Sequence, residues 1–122
     1  MHDTPHYIFD PRIATHSFRS ISRDLEGCRV HYCLKANGEE LIVRSLASAG
    51  ARFEVSSRGE FETVIKAGIA PENILCGLPI KPVPLIRDLY DKGCRYFTFD
   101  ALDELRKLER YAPAADKALR LN

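Results

Sequence analysis

The sequence predicts an α/β fold and, within that class, a partial (β/α)8 barrel of about five strands, on three observations. Short β-branched or aromatic runs alternate with amphipathic stretches, and the runs begin 22, 21, 23 and 22 residues apart. Gly27, Gly50, Gly68 and Gly93 each stand just after an amphipathic stretch and a few residues before the next run, where a helix C-terminus favours a left-handed residue. Alternate positions within the runs are polar on one face and apolar on the other.

Taken in order, an extended piece at His6 to Phe9 ends at Asp10-Pro11, and a helix from about Arg12 to Leu25 follows, with Ile13, Phe18, Ile21 and Leu25 as its inward stripe. The strands are expected at Val30 to Lys35, Arg52 to Ser56, Asn73 to Cys76, Tyr96 to Asp100 and Ala118 to Asn122. Between them, helical spacing is carried by Leu41, Ile42, Leu46 and Ala49, then by Phe61, Val64 and Ile65, then by Leu85, Ile86 and Leu89, then by Leu102, Leu105 and Leu108. Ser57-Arg58-Gly59-Glu60 has the form of a capping box, and Asp100 is placed to cap the helix that follows it.

Strands separated by helices pair in parallel through right-handed crossovers, which leaves two architectures, an open doubly wound sheet or a barrel. The chain stops at the end of its fifth strand, where an open sheet would add a covering helix. A sheet covered on both faces also reads as nearly continuous hydrophobic strands, whereas here His31, Cys33 and Lys35, then Arg52, Glu54 and Ser56, then Tyr96, Thr98 and Asp100, then Arg120 and Asn122 share one polar face. Both features favour a barrel interior with a site near its rim.

Composition narrows the function classes. Lys+Arg 18 against Asp+Glu 17 leaves a net charge of +1, with no block of like charge and no Arg-aromatic interleaving, which argues against a nucleic-acid groove. No apolar run approaches the ~20 residues of a membrane span, and the N-terminus lacks the basic and apolar segments of a signal peptide, so a cytoplasmic protein is expected. Cys28, Cys33, Cys76 and Cys94 form no CxxC pair, and His2, His6, His16 and His31 show no ligand spacing, so reduced, mostly buried thiols and no metal are expected.

If the polar faces converge, the strand C-termini gather Lys35, Glu54, Ser56, Asp100, Arg120 and Asn122 around one mouth, the edge at which such folds place their sites. From position alone Lys35 has two readings, a strand-end lysine in solvent or an amine whose pKa is lowered by desolvation for imine formation. Lys81, between Pro79 and Pro82, reads as a loop lysine rather than a phosphate ligand, because the prolines remove amide donors.

Tyr32-Cys33-Leu34-Lys35-Ala36-Asn37, then Phe53-Glu54-Val55-Ser56-Ser57 with Gly59-Glu60, Pro71-Glu72-Asn73-Ile74-Leu75 and Phe97-Thr98-Phe99-Asp100 resemble, in order and spacing, the N-terminal part of the fold-type III pyridoxal-phosphate decarboxylases. The branch is that of the ornithine, lysine and diaminopimelate decarboxylases with the alanine-racemase-like barrel, and Cys76 to Pro82 is more similar to its ornithine side. Even Pro5 to Asp10 resembles the segment that starts in the family's second β-domain, which implies residues 1–11 as an opening strand of that domain and 12–122 as barrel.

The resemblance implies pyridoxal 5'-phosphate as cofactor and Lys35 as the lysine that holds it covalently, with Cys33 beside the ring, Glu54 and Glu60 near the cofactor and its lysine, and Arg120 near the phenolic side. The local readings of the same residues are a buried thiol at Cys33, an acid paired with Arg52 or Arg120 at Glu54, a capping box at Glu60 and a structural ion pair at Arg120. Glu54 stands where the family usually has aspartate, and one methylene moves a carboxylate by about an ångström or more, enough to alter substrate choice or activity.

The implied activity is decarboxylation of a basic amino acid to a diamine by a homodimer. The ring-stacking histidine, phosphate loop, pyridine-nitrogen acid and β-domain of the family would lie beyond residue 122, so the 122 residues alone are expected to be an inactive N-terminal piece. A catalytically silent relative acting as a binding module is the alternative. A complete receiver-like domain is the third reading, and the sequence has no paired acidic cluster for it.

Overall fold

The computed structural model describes residues 8–121. Its elements are α1 (Pro11–Asp24), β1 (His31–Cys33), α2 (Glu40–Ser48), β2 (Arg52–Val55), α3 (Arg58–Lys66), a 3-10 turn (Pro71–Asn73), β3 (Ile74–Cys76), α4 (Val83–Asp91), β4 (Tyr96–Phe99), α5 (Leu102–Tyr111) and β5 (Asp116–Leu119). All five strands are parallel and lie in the order β1-β2-β3-β4-β5. This order decides between the two architectures. A doubly wound sheet reverses direction at a switch point, so some neighbours in space are not neighbours in sequence, whereas a barrel adds each strand beside the last. The sheet is a run of five consecutive strands of a barrel wall.

The turn chemistry that makes the repeat is visible at three helix ends. Gly50 has φ of 86° and donates to the Ala47 carbonyl at 2.9 Å, while Ala51 donates to the Leu46 carbonyl at 3.0 Å. The same pair of bonds closes α3 through Gly68 and Ile69, and α4 through Gly93 and Cys94. In each Schellman turn the residue after the glycine, Ala51, Ile69 or Cys94, is buried, as is the helix residue it folds back on, Leu46, Val64 or Leu89. Each helix end therefore anchors the approach to the following strand.

The core lies between the helices and one face of the sheet, where Val43, Phe53, Val55, Val64, Ile74, Cys76, Ile86, Leu89, Phe97 and Leu108 are fully buried. On the other face the register sets Cys33 beside Glu54, Glu54 beside Leu75, Leu75 beside Tyr96 and Tyr96 beside Asp116. Cys33, Glu54, Leu75 and Tyr96 on that face are half-buried and Asp116 is exposed, and the face is polar as expected apart from Leu75 and Ala118.

Several expectations need correction. The opening piece at His6 to Phe9 falls partly outside the described residues, and Ile8 and Phe9 lie in no strand. In α1, Phe18 and Ala14 pack against the core, but Ile13, Ile21 and Leu25 are exposed, because a stripe marks an apolar face without specifying what covers it. Leu41 and Leu102 are likewise exposed, the latter because α5 turns Glu104 and Leu108 inward instead. Strand β5 begins at Asp116, two positions before the expected start at Ala118. It is largely exposed, so it lacks the apolar run by which buried strands are recognised.

Two of the four thiols, Cys76 and Cys94, are buried, Cys33 is half-buried and Cys28 exposed, and all are free. Among the described residues no helix is long and apolar enough to cross a membrane.

Candidate active site

The polar groups gather where the strands end. Cys33 is the last residue of β1, and the pairing that continues past it, Leu34 N–H to the Glu54 carbonyl at 3.0 Å, turns Leu34 into the core and carries Lys35 onto the rim. A turn closed by Ala36 N–H on the Cys33 carbonyl, at 3.1 Å, then lifts the chain away. Lys35 is exposed there, and its ammonium has no hydrogen-bond or ion-pair partner among the described residues.

Glu54 extends from β2 across the end of β3. Its carboxylate occupies the space that a side chain at Gly77 would fill, since a Cβ built on Gly77 would meet Glu54 Oε1 at 1.9 Å. Gly77 is buried and prolongs the sheet by donating to the Val55 carbonyl at 2.9 Å. Its own carbonyl accepts from Arg120 Nη1 at 3.3 Å. Arg120 lies just past β5, held in line by its N–H on the Phe99 carbonyl at 2.8 Å. Cys33, Glu54 and Arg120 are thus brought to one edge around Gly77. Burial pushes the Cys33 thiol up, and hydrogen bonding to Glu54 and that acid's charge push it further, so the thiol stays protonated at neutral pH.

Glu60 is on the same edge but occupied. Its Oε2 accepts from Ser56 N–H at 2.6 Å while its own N–H donates to Ser57 Oγ at 3.2 Å, so the capping box forms, with its return bond one residue earlier than the usual partner. Asp100 is exposed and does not cap α5. The N-cap is Ala101, in extended conformation and without a side-chain bond, and first-turn acids Asp103 and Glu104 supply the negative charge this helix end favours. The structure does not describe Asn122.

Lys81 stands in the loop after β3, in keeping with its sequence reading, but it does not reach into solvent. It is fully buried, and its Nζ donates to the carbonyls of Thr98 at 2.6 Å, Leu78 at 2.8 Å and Pro79 at 3.1 Å, with Glu104 Oε2 at 3.4 Å. Glu104 also pairs with Lys107, whose Nζ donates to the Lys81 carbonyl at 2.8 Å. The ammonium consumes loop carbonyls that have no helix or strand partner and ties the loop after β3 to β4 and α5. The available signal was Glu104 itself, an acid on the buried face of α5 that requires a cation.

Residues 13–122 match the model of the pyridoxal-dependent decarboxylases, pyridoxal-binding domain. The chain belongs to this family. Ornithine decarboxylase of Neurospora crassa is 36% identical over 90 residues, 74% of this chain and 19% of that protein. Antizyme inhibitor 2 of Xenopus laevis is 37% identical over 90 residues, 74% of this chain and 20% of that protein. Among solved structures, SrLDC in complex with PLP and cadaverine superposes with a TM-score of 0.88 at 28% identity, covering 99% of this chain and 32% of that one. The chain thus spans about a fifth of the length of the curated relatives it matches and a third of the structural neighbour.

Pyridoxal phosphate is the cofactor of the family, and the residues at the strand ends fit it. An exposed lysine and a guanidinium held against Gly77 are the groups that an aldehyde and an anionic oxygen require, and the Glu54 carboxylate lies over the same glycine.

Proposed function

We propose that this chain is the cofactor-holding part of the barrel of a decarboxylase acting on a basic amino acid, with Lys35 as the covalent anchor of pyridoxal phosphate. The observation that carries the reading is the gathering of Lys35, Cys33, Glu54 and Arg120 at one strand edge within the segment matched to the pyridoxal-binding domain. Ornithine and lysine are the favoured substrates, on the names of the fungal relative and of the cadaverine complex. Residues 12–122 are assigned to the barrel and 1–11 to the approach from a second domain, and the working form is a homodimer.

When bound, pyridoxal phosphate supplies an electron sink for the pair left on the α-carbon as carbon dioxide departs. The chain supplies the rest. Lys35 presents its side chain on a turn outside the packed core, with no ion-pair partner among the described residues, so the cofactor's aldehyde can reach it. Arg120 offers positive charge to an anionic oxygen, and the Gly77 carbonyl limits where that charge can stand. The protonated Cys33 contributes a small apolar surface rather than a competing nucleophile. Glu54, held over Gly77, directs negative charge across the inner face.

The similarity to an antizyme inhibitor, together with the glutamate at position 54, supports a second reading, a silent relative that keeps the scaffold to bind a partner. One experiment separates them. The longest native polypeptide containing this chain is mixed with pyridoxal phosphate, reduced with borohydride and mapped by peptide mass. A pyridoxyl group on Lys35, lost with its absorbance in Lys35→Ala, is the expected result, and an unmodified Lys35 would move the reading to the silent relative.

A further inference from the structure

Glycine at position 77 is not explained by backbone conformation. Its φ lies outside the positive region that the chain reserves for Gly27, Gly50, Gly68 and Gly93, and its N–H and carbonyl make ordinary bonds that any residue makes. What excludes a side chain there is Glu54. A Cβ at position 77 would stand 1.9 Å from Glu54 Oε1, 2.5 Å from Cδ and 2.6 Å from Cγ, so the terminal half of the acid fills the place of one methyl group. The clash is with a flexible side chain, not with backbone, so a methyl group at 77 would leave the fold standing and move the carboxylate.

We infer that Gly77 is a positioning residue for Glu54, and that the pair is coupled: the longer acid reaches over the end of β3, between the Cys33 thiol and the carbonyl that holds Arg120, only because position 77 has no side chain. The inference rests on the proposed function in taking this edge as the cofactor site. The acid crowds the space from its Cγ outward, so a side chain that ends at Cβ, alanine at 54, is compatible with alanine at 77, whereas a glutamate is not. The reach of the acid across the inner face, and hence the part of cofactor or substrate it meets, is therefore set by two residues from different strand ends.

The test is a double-mutant cycle on the longest native polypeptide containing this chain, using wild type, Gly77→Ala, Glu54→Ala and the double variant. The readout is the rate at which iodoacetamide alkylates Cys33, followed by peptide mass without added cofactor. Glu54 contributes to keeping that thiol protonated, so its displacement releases thiolate. Gly77→Ala is expected to speed alkylation severalfold with glutamate at 54, and to leave it unchanged with alanine there, where no acid remains to be displaced. Equal effects in both backgrounds, or no effect with glutamate, overturn the coupling. If Gly77→Ala fails to fold while the double variant folds, the rescue supports it; failure of both overturns it by giving Gly77 a backbone role. Titrating the four proteins with pyridoxal phosphate by absorbance tests the functional reading separately, because a wild type that binds none defeats that reading while the alkylation cycle still decides the pair.

Discussion

At the scale of single residues, the buried charges are what hold the strand ends in place. Burial pushes the Lys81 ammonium down, and the Glu104 charge opposes that pressure, so the cation is retained only with its acid and three carbonyls around it. For Glu104, burial raises the carboxyl, but Lys107, the Lys81 amide and the charge on Lys81 outweigh it and hold the group below its ordinary 4.5. A folded value below the unfolded one means that the stabilisation is fully present above pH 4.5 and is lost as pH falls through the folded value. Glu104→Gln is therefore expected to cost about 2 kcal/mol at neutral pH, because it removes charge-assisted bonds to two lysines. It should also flatten the acid limb of stability, with the two curves converging at low pH. Urea midpoints measured across the acid range check this, and parallel curves would show that Glu104 is not the titrating group.

At the scale of elements, helix starts and stops carry much of the architecture. The Ser57 and Glu60 bonds fix the first turn of α3 directly after β2, so the same acid that the family resemblance sets near the cofactor is here a structural bond to Ser56 N–H. Ser57→Ala is expected to destabilise the chain by about 1 kcal/mol, read as a lowered urea midpoint with unchanged slope. Such features were legible in the sequence because they are local: the box spans four residues, and each Schellman glycine lies next to the helix it ends. What was not legible depends on distant partners. Lys81 between prolines is a loop residue as read, but its burial shows only when Glu104, 23 positions on, is placed beside it. Gly77 looks like a turn glycine until the Glu54 side chain is seen across it. The stripe of α1 was read correctly as apolar and wrongly as buried, since periodicity identifies a face and only packing decides its cover.

At the scale of the whole molecule, cooperativity follows from how the strands are flanked. β2 and β3 each have parallel partners on both sides, and their core-facing residues Phe53, Val55, Ile74 and Cys76 are all fully buried under the helices. β5 is paired along one side, to β4, and three of its four residues are exposed. α1 has no buried residue, although Phe18 and Ala14 touch the core. Opening free energy tracks buried apolar contact and paired backbone, so loss of structure should proceed from the margins inward. Hydrogen exchange on the 122-residue chain, resolved by peptide mass, is expected to show the β2 and β3 amides exchanging last, with α1 and β5 exchanging first. Glu54 and Gly77 belong to, or directly follow, the slowest strands, while Arg120 follows the fastest, so the site would be built on one rigid side and one that needs support. Uniform exchange across all five strands would show instead that β5 closes with the core as a single unit, and that Arg120 is as firmly placed as Glu54.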